Sequence, residues 1–192
     1  MCIRDSGPVE ALRYGIFHVV SVATTTGFTT VDYLSWPVFA PVLMLLLSGV
    51  ATSAGSTGGG IKMVRMLILL KQARRELTRL VHPRAMQPVR LGNGVVDDRM
   101  IFSVLAFMLV YGATVITLSM VLLLTDLDPV TAFSAVLASV HCMGPGLGAL
   151  GPSSNYAVLT DFQTWICTLA MLLGRLEILS FMALLSPAFW RR

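Results

Sequence analysis

Apolar residues gather into blocks along the chain, and the block lengths predict the elements. Residues 9–23 form an apolar run of about fifteen residues that ends at Thr24-Thr25-Thr26-Gly27-Phe28. Runs 37–54 and 61–71 meet across the small-residue stretch 51–60. Residues 100–124 hold no charge over 25 positions, residues 129–143 give another short run, and residues 162–185 form a long one carrying Arg175 and Glu177. A helix crosses about 30 Å of hydrocarbon with about 20 residues, whereas runs of about 10–14 mark re-entrant elements. The pattern predicts spanning helices alternating with short helices, and residues 37–70 read as one membrane segment broken in its middle. Non-helical backbone at membrane depth is tolerated only where protein buries it or it lines a water-filled cavity. A broken membrane helix is therefore a candidate transport element.

Charge fixes the topology. Nine of the fourteen Lys and Arg lie between Lys62 and Arg99, while residues 15–60 and 100–173 contain none and hold Asp32, Asp126, Asp128 and Asp161 instead. Basic loops stay in the cytoplasm. Residues 72–99 and the C-terminal Arg191-Arg192 are thus expected inside, so 100–124 runs outward and 162–185 runs inward. The parity closes only if 129–147 enters and leaves on the outer side. Apolar residues make up 55% of the chain and charged ones 12%, about half the usual share of a soluble domain. The basic run therefore reads as topology and lipid-headgroup contact; nucleic acid is not an expected partner. Residues 1–6 are polar with no apolar core behind them, so they are no signal peptide, and residues 1–8 are expected to be a linker or a non-native start.

The same order occurs twice: a short helix, a glycine-bearing turn, a loop and a long helix. Ser21 to Gly27 precedes Leu45-Leu46-Leu47-Ser48-Gly49, and Ser139 to Gly144 precedes Met171-Leu172-Leu173-Gly174. Helix, short helix, turn and helix, repeated, is pore-loop architecture. A dehydrated cation in such a pore needs oxygen ligands, which backbone carbonyls supply, and glycine permits the torsions that turn them inward. The run Thr24-Thr25-Thr26-Gly27-Phe28 resembles the Thr-Val-Gly-Tyr-Gly filter of potassium channels. Each short helix would aim the negative end of its dipole at the ion.

Other chemistry is excluded or displaced. The stretch from Gly55 to Lys62 is no nucleotide loop, because Ile61 separates Gly60 from Lys62 and Met63 stands where a hydroxyl residue is required. Cys2, Cys142 and Cys167 have no metal or redox spacing. No nucleophile–base pair or metal cluster appears, and no enzymatic activity is expected. Arg175 lies roughly 18 Å along its helix at about 1.5 Å per residue. A charge at that depth should face protein or water, and Glu177, two positions on, is not on its face. Arg175 is expected to face the pore, where it would hinder cations or bond carbonyls of the broken helix.

Four motifs in order make the chain similar to the TrkH/KtrB family of bacterial potassium-uptake proteins. They are Thr24 to Phe28, Ala54 to Lys62, Gly144-Pro145-Gly146-Leu147-Gly148, and Leu172 to Glu177. The resemblance implies an all-α membrane protein of helix–pore loop–helix repeats. Residues 9–71 would be the pore loop and broken second helix of repeat three, 72–99 a cytoplasmic basic linker, and 100–192 repeat four. It implies potassium as the transported ion, with no bound cofactor. The filter would comprise Thr25, Thr26, Gly27 and Phe28 with Cys142, Met143, Gly144 and Pro145. Ala54, Gly55, Ser56, Thr57, Gly58, Gly59 and Gly60 would form a gating loop, and Arg175 the pore arginine. It further implies a multi-pass inner-membrane location, a homodimer, and a cytoplasmic nucleotide-binding regulatory subunit of the TrkA/KtrA type facing 72–99. An N-terminal half carrying repeats one and two is expected as a missing partner. The family usually has an amide side chain just before the fourth filter, where this chain has His141-Cys142. Two other readings stay open: a secondary transporter binding substrate at the broken helix, and a non-conducting truncated subunit.

Overall fold

The computed structural model describes residues 7–53, 59–83, 87–92, 94–176 and 190. Among the described residues the fold is carried by six helices: α1 (Pro8–Ala23), α2 (Phe39–Val50), α3 (Met63–Val81), α4 (Asp98–Leu123), α5 (Pro129–Val140) and α6 (Asp161–Arg175). Single 3-10 turns lie at Tyr33–Ser35, Gly148–Leu150 and Tyr156–Val158.

Local chemistry explains most boundaries. Pro8 opens α1 and Pro129 opens α5, where a missing N–H costs nothing. The Asp128 carboxylate caps α5 by accepting from the Val130 and Thr131 amides. Thr160 and Gln163 form a reciprocal capping box on α6, satisfying two orphan donors. Gln163 also donates to Thr125 Oγ1 at 2.8 Å, tying the start of α6 to the end of α4.

α4 is 26 residues long, about 39 Å at 1.5 Å per residue. Among the described residues it is the one helix long and apolar enough to cross a membrane. Its outer face leaves Phe102, Leu109 and Ile116 exposed, a face suited to lipid. α5 has only 12 residues and is enclosed, with Ala132, Ala135, Val136, Ala138 and Val140 fully buried. Small residues let neighbouring backbones approach closely, the packing mode favoured between membrane helices. α5 therefore lies at the centre, against α4 and α6 on one side and the α1–α2 cluster of Val22, Met44, Leu45 and Met143 on the other.

Two features depart from the sequence expectation. α3 continues ten residues beyond the apolar run, to Val81, because Gln72 to Leu80 is rich in strong helix formers. It stops before His82-Pro83, where proline disfavours helical backbone at the preceding residue. The linker also holds a two-stranded antiparallel ribbon, β1 (Arg90–Leu91) with β2 (Gly94–Val95), so the chain is not purely helical. An ion pair from Arg75 to Asp98 at 3.0 Å joins α3 to the start of α4 beside this ribbon.

Candidate functional site

Helices α1 and α5 end in the same way. After α1, the Thr25 amide bonds the Val22 carbonyl at 3.0 Å and the Thr26 amide bonds Ser21 at 2.9 Å; after α5, Cys142 bonds Ser139 at 3.0 Å and Met143 bonds Ala138 at 2.9 Å. This paired closure is the Schellman motif, which places the residue after the C-cap in left-handed backbone and usually uses glycine there. Here Thr25 (φ 56°) and Cys142 (φ 54°) occupy it, and Gly27 (φ 79°) and Gly144 (φ 95°) follow two residues later. Left-handed torsions cost a residue with a Cβ about 1–2 kcal/mol, so the surroundings must hold these two.

From each turn the chain doubles back along its own helix. Ser21 Oγ donates to the Phe28 carbonyl at 2.7 Å, and the Thr30 and Val31 amides reach His18 Nε2 at 3.2 and 3.4 Å. Beside α5, the Leu147 amide donates to Ser134 Oγ at 2.9 Å and the Ala149 amide to Thr131 Oγ1 at 3.2 Å. Residues 129–149 thus enter and leave at the same end of α5. The two turns are adjacent: a Cβ on Gly27 would strike the Met143 carbonyl, and Pro145 lies close by.

The sequence-predicted residues divide by what holds them. The Phe28 carbonyl already accepts from Ser21, and the Gly144 carbonyl accepts from Tyr156 Oη at 2.8 Å; each carbonyl keeps a second lone pair. Burial pushes the Tyr156 phenol up to about 12, with the nearby Cys167 adding to the rise. Burial likewise raises Tyr33 to about 12, reinforced by the charge of Asp32 and by Tyr156. Both phenols remain donors at neutral pH. Arg175 ends the helical part of α6, one turn beyond Met171, whose carbonyl lies 3.7 Å from Cys142 Sγ. From there it acts electrostatically on the Cys142 thiol. Its expected relation to Glu177 lies outside the described residues.

Of the small-residue loop, Ala54, Gly55, Ser56, Thr57 and Gly58 lie outside the described residues. The base of the loop is closed: the Ile61 amide bonds the Gly49 carbonyl at 2.8 Å and the Met63 amide bonds Thr52 at 2.9 Å. Gly59 is buried against the end of α5, where an added Cβ would stand 2.6 Å from the Val140 oxygen and 2.7 Å from that of His141. Gly174 of α6 presses on the same Val140 carbonyl from another direction. The loop base, α6 and the second turn therefore share one small volume.

Three side chains that brace this region escape a reading of motifs. His18 is fully buried in α1, its Nδ1 donating to the Tyr14 carbonyl at 2.7 Å and its ring edge-on to Tyr33 and Trp36. Ser48 of α2 and Tyr111 of α4 meet the ring of His141 at 2.8 and 2.6 Å. The signal available in the sequence is that each is polar within an otherwise apolar run. No group of three or more potential metal-ligating side chains occurs among the described residues.

Known proteins resemble the chain over nearly its whole length. The family model described as TrkH, cation transport protein, matches residues 5–192. The Trk system potassium uptake protein TrkH of Vibrio parahaemolyticus is 40% identical over 186 residues, which is 97% of this chain and 38% of that protein. Its counterpart in Salmonella typhimurium is 42% identical over 189 residues, 98% of this chain and 38% of the other. The Escherichia coli protein TrkG is 41% identical over 180 residues, 93% and 36% respectively. The crystal structure of the Vibrio parahaemolyticus potassium transporter TrkH superposes with a TM-score of 0.89 at 40% identity, covering 97% of this chain and 39% of that one. The chain spans about 38% of the length of these relatives.

Proposed function

As the chain belongs to the TrkH family of cation transport proteins, we propose that it forms part of a potassium-uptake pore of channel-like mechanism in a bacterial inner membrane. Backbone carbonyls of residues 25–28 and 142–145 line the filter. The observation that carries this reading is the duplicated turn: two helix ends, two matching pairs of left-handed residues, and direct contact between the turns. Strained backbone persists where the surrounding structure over-determines it, which is characteristic of functional sites. The C-terminal ends of α1 and α5 carry partial negative charge toward the turns, which suits a cation shed of its water.

The remaining parts fall into place around that filter. The loop following α2, its base pressed on Val140 and His141, obstructs the path as a gate. Arg175, close to Cys142, sets a positive charge beside the path and raises the barrier to cations. The rest of a full-length relative supplies the other repeats, and the homodimer and a cytoplasmic nucleotide-binding ring facing α3 and the ribbon belong to the same proposal.

Gly144 tests the filter most directly, since a Cβ there meets nothing within 4 Å and only the left-handed torsion opposes it. In proteoliposomes holding the full-length transporter that contains this chain, Gly144→Ser is expected to lower the preference for Rb⁺ over Na⁺ by about tenfold, the equivalent of about 1.4 kcal/mol. Unchanged preference in a monodisperse protein would remove residues 142–145 from the ion path.

A further inference from the structure

Beneath the second turn, Ser48, His141 and Tyr111 bring polar atoms from α2, the end of α5 and α4 to one buried point. They are 0%, 3% and 8% exposed. The directions of their hydrogen bonds can be worked out by counting donors. Ser48 Oγ donates its single proton to the Leu45 carbonyl at 2.7 Å, so at its 2.8 Å contact with His141 it must accept. His141 Nδ1 therefore carries the hydrogen. In the neutral ring Nε2 is then an acceptor, and the Tyr111 hydroxyl donates to it at 2.6 Å. The order runs one way: Tyr111 to His141, His141 to Ser48, Ser48 to the α2 backbone. Every polar atom in it is satisfied.

The position of this chain of bonds matters more than its existence. His141 immediately precedes Cys142, which holds a left-handed torsion without being glycine. Ser48 immediately precedes Gly49, whose carbonyl receives the Ile61 amide and whose backbone abuts Gly60. Gly49 itself faces the His141 ring, where an added Cβ would stand 2.9 Å from Cε1. On the far side, the Tyr111 ring stacks near Phe107, and the Arg65 guanidinium of α3 sits 4.0 Å above Phe107. The imidazole thus links the first residue of the second turn to α2, the first half of the broken helix, and to α4, whose Phe107 in turn meets Arg65 of α3.

We propose that His141 is a positioning residue: through its bonds to Ser48 and Tyr111 it sets the Cys142–Met143 carbonyls in register with the base of the gate loop, so that ion preference depends on both bonds. Shape alone does not explain the site, because a packed core position needs no one-way sequence of donors. An amide at position 141 would reproduce one donor and one acceptor; an aliphatic side chain would reproduce neither. The proposal rests on the filter reading given above, and the experiment separates the two.

The test compares His141→Leu, His141→Gln, Tyr111→Phe and Ser48→Ala in the full-length transporter containing this chain, reconstituted in proteoliposomes. The readouts are ⁸⁶Rb⁺ half-saturation, maximal rate and Na⁺ competition. His141→Leu is expected to lower the Rb⁺-over-Na⁺ preference by about tenfold and raise half-saturation, with Gln recovering it to within about threefold. Tyr111→Phe and Ser48→Ala, each removing one oxygen, are expected to lower the preference by about threefold. These two decide the matter even where His141→Leu fails to fold. Preference unaltered in either single-oxygen variant, or Leu and Gln behaving alike, overturns the positioning role. If Gly144→Ser is also silent, the filter reading falls with it; if Gly144→Ser shifts preference while Tyr111→Phe and Ser48→Ala do not, the positioning role falls alone.

Discussion

The turn after α1 and the turn after α5 repeat one set of backbone torsions in different surroundings. The first is braced from within its own hairpin. Its return strand hangs on Ser21 and His18, seven to thirteen residues away, and Thr24 Oγ1 bonds Val20 and Thr26. It stays open on one side, with Phe28 70% exposed at a groove of about 510 Å³ lined by Arg13, Ile16, Phe17 and Val20. The second turn is braced from afar. Its His141 bonds side chains 30 and 93 positions distant, its Gly144 carbonyl takes Tyr156, and Met143 is buried. One backbone geometry can thus be held by local capping or by tertiary enclosure. The enclosed version connects to the rest of the chain, which is why the positioning role proposed for His141 belongs to the second turn and not to the first.

The largest expected effect comes from joining the two turns by force. Gly27→Ala places a Cβ on the Met143 carbonyl while demanding a left-handed torsion. Overpacking and torsional strain together should cost about 3 kcal/mol or more. Purified full-length protein is expected to lose Rb⁺ uptake and to melt several degrees lower. Wild-type melting would mean that the turns are not in contact. A smaller and one-sided change is expected from Arg175→Ala. On the pore-facing role proposed for it, removal of its charge beside Cys142 should raise Rb⁺ flux by about threefold to tenfold, as loss of a like charge from a low-dielectric path would. Unaltered flux would give Arg175 a structural role.

Much of this was legible in the chain because it is written locally. Apolar block lengths gave α1, α4 and α5 to within a few residues, and Thr-Thr-Thr-Gly marked the first turn as Gly-Pro-Gly marked the second. Charge placement called for residues 129–147 to be re-entrant; in the structure the Leu147 and Ala149 amides bond Ser134 and Thr131 of α5. What hydropathy could not show was where α3 stops, since helix propensity outlasts the apolar run, or the ribbon at Arg90–Leu91, which is too short to carry an alternating pattern. Nor could it show the bracing. Ser48 and His141 stand 93 positions apart, and no periodicity relates residues that meet only through the packing of three helices. His141 drew notice as a departure from an expected amide, yet its partners became visible only in the fold.

The smallest expected effect sharpens the contrast between local and distant bracing. Ser21→Ala removes the donor to the Phe28 carbonyl, and Tyr156→Phe removes the donor to the Gly144 carbonyl. Each deletes one hydrogen bond with a net worth of about 1 kcal/mol, or about fivefold in a local opening equilibrium. In the first turn the brace left on Thr30 and Val31 is the His18 ring at 3.2 and 3.4 Å, so Ser21→Ala should speed their amide exchange by nearly that full factor. In the second turn His141, Ser134 and Thr131 still hold the strand, so Tyr156→Phe should change exchange at Leu147 and Ala149 by about twofold or less. Hydrogen exchange on the full-length protein compares them directly. If Tyr156→Phe loosened its strand as much as Ser21→Ala loosens the other, the second turn would be held no more firmly than the first, and its enclosure would not be what stiffens it.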